Sequence, residues 1–170
     1  MLDRANTLIV SRREQVARIL GRPLVGPKSS QAAATEQVRR HLLEEAEELY
    51  WNEMAWEHIT GEEGMGQGAL LEMAFPGFLA FVRALLLREV LPDAKGPAQP
   101  RPEVVEDLML FLGERVVALE EELAHGESDE HDRLAGELVM TNRLLNGVLY
   151  SYHGLTPSDV ERVEAAQVRH

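Results

Sequence analysis

Gly68 to Leu91, GALLEMAFPGFLAFVRALLLREVL, is the only stretch of this chain that is apolar on nearly every side. Its charged members are Glu72, Arg83, Arg88 and Glu89, and only the ten residues from Met73 to Val82 run uncharged. Crossing a bilayer takes about 20 apolar residues, so the run is too short to span one. A helix that is apolar around its whole circumference belongs inside a protein, walled by other helices. The segment therefore reads as the central helix of a helical domain. Pro76 interrupts it, because an interior proline removes a backbone hydrogen bond and clashes with the preceding turn, costing about 3 kcal/mol. With Gly77 alongside, the expectation is a break or kink: a short helix to Phe75, then a longer one opening on Pro76.

The other elements follow from periodicity. Asn6 to Leu20 is a modest amphipathic helix, stopped by Gly21 and Pro23. Gly21 to Ser30 reads as a loop, so residues 1–30 form a basic helix with a flexible connection behind it. A second helix starts at about Gln31 or Thr35 and runs to Thr60, with Leu42, Ala46, Leu49, Glu53 and Trp56 on one stripe. Residues 92–102 are a proline-rich connection. Glu103 to His125 and Arg133 to His153, joined by a short polar turn, form a long antiparallel helical hairpin over 103–153. Thr156, Pro157 and Asp159 open a last short helix, Thr156 as its cap. No segment alternates as a strand does. The expected fold is all-α: one domain over 1–170, about six helices bundled around the apolar segment.

Charge narrows the function classes. Residues 1–40 hold eight basic groups against three acidic ones, a balance of +5, and the other 130 residues hold nine against twenty-six, a balance of −17. An acidic body repels phosphate backbones, which argues against general nucleic-acid binding. The basic arm is expected to lie on acidic surface, its own or that of a partner subunit. There is no cysteine, hence no disulfide framework and no thiol nucleophile, which suits a cytoplasmic protein.

Three constellations could carry chemistry. Glu44, Glu45 and Glu48, spaced EExxE, put carboxylates on adjacent turns of one helix, as a Mg²⁺ site for pyrophosphate chemistry requires. The spacing resembles the first half of the motif of the MazG-like all-α nucleoside triphosphate pyrophosphatases, and that resemblance implies Mg²⁺ as cofactor. Those enzymes add an ExxD pair on the following helix. Here Glu72 is followed by Phe75 at that spacing and Glu89 by Pro92, so the competing reading is a solvated acidic face. Asn142, Asn146, Tyr150 and His153 form a polar row at intervals of four, four and three, either the wet side of its helix or the lining of a small-molecule pocket. Glu53 and Arg83 interrupt apolar stripes at central positions. Each needs a partner, and a buried Glu53–Arg83 ion pair is expected. Glu72 and Arg83 sit roughly 16 Å apart along an unbroken helix, too far to pair directly.

One more expectation concerns assembly. The other helices can cover only part of the apolar segment, leaving Phe75, Phe78, Phe81 and Leu85 as a patch larger than monomers usually expose. A two-fold axis there would cover it with a second copy. The leading functional reading is accordingly a helical protein that acts by association, as a homodimeric adaptor or regulator. The alternatives are the Mg²⁺-dependent pyrophosphatase and a small-ligand-binding bundle.

Overall fold

A computed structural model of the chain describes residues 2–27, 34–55, 67–87, 100–126 and 130–168. All regular structure among them is helical, in seven helices: α1 (Leu2–Leu20), α2 (Glu36–Met54), α3 (Gln67–Ala74), α4 (Pro76–Leu87), α5 (Pro102–His125), α6 (His131–Tyr152) and α7 (Pro157–Val168). The seventh arises because the apolar segment is two helices that part at Phe75, with Pro76 in the first position of α4. The expected second helix is described only to Met54, so Trp56 to Thr60 lie outside the described residues, as do Arg88 to Leu91 of the apolar segment.

Helices α5 and α6 pack along each other as an antiparallel hairpin that carries α1 to α4, while α7 packs on α1. Most residues that the helical spacing selects are buried: Val104, Val105, Leu108, Leu112, Val116 and Leu119 on α5, and Leu134, Leu145, Val148 and Leu149 on α6, with Leu138 and Tyr152 half-buried beside them. Helix α4 is walled by α2, α5 and α6, and α3 rests on α6. Helix α1 lies along α5 and α7. That approach is close at Gly113, where a methyl group would come within 3.3 Å of Ala5 Cβ.

The local signals hold at two helix starts. Thr35 Oγ1 accepts the Val38 N–H at the head of α2. Thr156 and Asp159 exchange hydrogen bonds in both directions at the head of α7, each 3.1 Å long, a reciprocal capping box.

Three expectations need correction. Phe75, Phe78 and Leu85 are fully buried and Phe81 nearly so within the single chain, so they form no exposed patch. Breaking the segment into two short helices shortens the surface that each must bury, and among the described elements α2, α5 and α6 pack against α4 and α6 against α3. The Glu53–Arg83 pair is also replaced. The separation expected for Glu72 and Arg83 fails as well: the two pair across the break at Phe75, where one straight helix would hold them apart. Glu53 instead accepts the backbone N–H groups of Gly77 and Phe78, at 2.8 Å each.

Candidate functional site

The basic residues of α1 and of the loop behind it decide where a site can form. Arg4, Arg13 and Arg22 reach the carboxylates of Glu121, Glu106 and Asp159, and Arg39 at the start of α2 reaches Asp107. The basic arm thus lies on the acidic body of its own chain. Arg12 differs. Its guanidinium donates to Asn146 Oδ1 at 3.0 Å and to Asn142 Oδ1, two neutral acceptors. It forms no ion pair among the described residues. Burial pulls its pKa below the usual arginine value, against the attraction of Glu120.

Around Arg12 lies a crevice of about 350 Å³ between α1, α6 and α7, lined by Arg12, Gln15, Val16, Asn142, Asn146, Leu149, Tyr150 and Gln167. In a chain of net charge −12 its lining contains no carboxylate. Tyr150 closes one side. It is 6% exposed, and its hydroxyl is one of two buried side-chain polar atoms among the described residues with no hydrogen-bond partner, Arg115 Nε being the other. Burial, reinforced by Glu164 and opposed by Arg12, pushes the phenol up to about 12. It is therefore a neutral donor at any physiological pH. Tyr150 also lines a second cavity, of about 490 Å³, whose floor is Leu71, Leu79, Leu155 and Val160 and whose charged groups are Glu72, Arg83, Glu161 and Glu164.

His153, the last member of the polar row, belongs elsewhere. Its Nδ1–H donates to the Val25 carbonyl and its Nε2 accepts from Arg13 Nε, both at 2.9 Å, an arrangement that requires the neutral ring. Arg13 also lies 5.4 Å over the Tyr152 ring, so the cluster ties α1, the loop behind it and α6 together. Burial and the Arg13 charge hold the His153 pKa below the ordinary 6.5, against the pull of the Val25 carbonyl and Glu106. Below 6.5 the unfolded chain takes up this proton more readily than the folded one. The contribution of His153 to stability is thus complete above 6.5 and is lost as pH falls through the lower folded value. The melting temperature is expected to drop between pH 7 and pH 5, and His153→Gln to flatten that part of the profile. An equal drop in the variant would assign it to other groups.

Glu44, Glu45 and Glu48 lie on the outer side of α2, with Glu45 near His41 at 3.7 Å. No group of three or more His, Cys, Asp or Glu side chains that could hold a metal ion exists among the described residues. The carboxylates point outwards because Leu42, Ala46 and Tyr50 take the buried side of the same helix. Of the predicted site residues, the structure brings together Asn142, Asn146 and Tyr150. Arg12, Gln15 and Gln167 escaped the sequence reading, because nothing in one helix announces which other helix will lie across it. No described helix is long and apolar enough to cross a membrane. Comparison with family models, curated proteins and solved structures gives no significant match.

Proposed function

We propose that this chain is a small-ligand-binding helical protein whose site is the crevice between α1, α6 and α7. The observation that carries the reading is the Tyr150 hydroxyl, buried and without a partner beside a polar crevice. An unsatisfied buried donor costs about 1–3 kcal/mol, and a bound molecule that accepts its hydrogen bond removes that cost. Clefts of this size between the helices of a bundle are a common seat for small molecules. The association reading has lost the surface that motivated it, since Phe75, Phe78, Phe81 and Leu85 lie in the core. The pyrophosphatase reading needs carboxylates gathered around a metal, and among the described residues Glu44, Glu45 and Glu48 are not part of such a group.

The test is Tyr150→Phe with two readouts. In the absence of ligand the variant should be as stable as the parent or more so by about 1 kcal/mol, because it deletes a hydroxyl that bonds to nothing. Titration with acetate, butyrate, benzoate and the corresponding primary amides, followed by NMR, should shift the side-chain amide signals of Asn142, Asn146, Gln15 and Gln167. Those shifts should weaken in the variant. Loss of stability in Tyr150→Phe, or no shift with any of the six compounds, would remove the reading.

A further inference from the structure

Resting on the reading of this crevice as a ligand site, we propose that its ligand carries a single carboxylate, received by Arg12. The charge of the lining is the first argument. Arg12 is its one charged residue, and the others are three apolar or aromatic residues and four amides. The second is how Arg12 is held. Three other arginines of the same basic arm each reach a carboxylate, whereas Arg12 reaches two amide oxygens. Amide oxygens orient a guanidinium without neutralising it, so a half-buried positive charge is left fixed in direction and uncompensated at short range.

Hydrogen-bond polarity is the third. Asn142 and Asn146 spend their oxygens on Arg12, which leaves their N–H₂ groups as donors, and Tyr150, whose neutral hydroxyl has no partner, lines the same crevice. Guanidinium, amide N–H and phenol O–H together favour a guest that only accepts, and a carboxylate is acceptor-only. An amine would meet donors on every side. The chain's net charge of −12 sets the last limit. Glu120 and Glu164 act electrostatically on Arg12 and Tyr150 respectively, so one guanidinium balances one negative charge and leaves a doubly charged phosphate in excess.

The experiment compares isosteres on the whole chain. Acetate, butyrate and benzoate are titrated against acetamide, butyramide and benzamide at constant ionic strength, with the side-chain amide signals of Asn142 and Asn146 as the readout. Each acid should bind about tenfold or more tightly than its amide. Inorganic phosphate should bind more weakly than acetate. Arg12→Gln, which keeps a polar side chain and removes the charge, should abolish the preference for the acid while leaving the weak amide response. Equal affinity of acid and amide, a tighter phosphate, or a preference that survives in Arg12→Gln overturns the carboxylate assignment while the crevice remains a ligand site. Silence of both series overturns the site and the assignment together. The comparison of acid with amide needs no variant, so it decides even if Arg12→Gln does not fold.

Discussion

Replacing Glu137 by leucine is expected to destabilise the protein by about 3–5 kcal/mol, whereas replacing Glu137 and Arg115 together should cost much less. Glu137 is the most deeply buried acid of the described bundle after its fold is formed, with its side chain 7% exposed. Arg115 on α5 reaches both of its oxygens at 3.3 Å, and the guanidinium lies 4.7 Å over the Trp51 ring. The pair thus ties α5 to α6 and to the end of α2. Its surroundings are ordered too: Thr141 donates to the Glu137 carbonyl at 2.7 Å, and Tyr50, fully buried, bonds with Thr141 at 2.9 Å. Removing Glu137 alone leaves a guanidinium, already short of one partner at Nε, with its only described carboxylate gone. Removing both charges takes away the attraction and the desolvation together. Denaturant unfolding of the two single variants and the double variant measures the coupling directly. If the double variant loses as much as the sum of the singles, the two groups do not act as a pair.

What could be read from the sequence was whatever one helix decides by itself. The stripes of α5 and α6 repeat at helical spacing for five turns or so, and most of the residues the spacing selects are buried, although Leu123, Leu138 and Tyr152 are only half-buried and Glu137 and Thr141 are buried as well. Pro76 breaks the apolar segment at the expected residue because the missing N–H and the ring clash are local facts. Partners across helices were not legible. Arg83 finds Glu72 across the break at Phe75, and no spacing rule for one straight helix anticipates that. Glu137 and Arg115 stand on different helices, and nothing in the spacing of either one announces that they will pair in a buried place. For the site, the sequence supplied the α6 row of Asn142, Asn146 and Tyr150, while its cation came from α1. A helix apolar on all sides did need walls, and its own chain supplies them.

Replacing Glu53 by alanine is expected to cost about 2–3 kcal/mol, more than loss of an ordinary cap. The reason lies in how α4 begins. Its first helical residue is Pro76, and the residue before it is Phe75, whose side chain is buried and carries no acceptor. The N–H groups of Gly77 and Phe78 are therefore left without the local side-chain cap that most helices have. Glu53, from the last turn of α2, supplies both acceptors, one oxygen to each N–H, and its charge stands at the positive end of the α4 dipole. Gly77 permits the approach, since a methyl group there would lie 3.1 Å from Leu49 and 3.2 Å from the Glu53 carboxylate. Glutamine at 53 offers one oxygen and should recover part of the loss. Gly77→Ala should be harmful for the same reason, by pushing the carboxylate off the helix end. Arg83→Ala is the contrast, because the Glu72–Arg83 pair is 48% and 39% exposed and should be worth less than about 1 kcal/mol. Thermal or denaturant unfolding ranks the four variants. Equal losses for Glu53→Ala and Arg83→Ala would point back to a pair between those two residues and away from a carboxylate that caps a neighbouring helix.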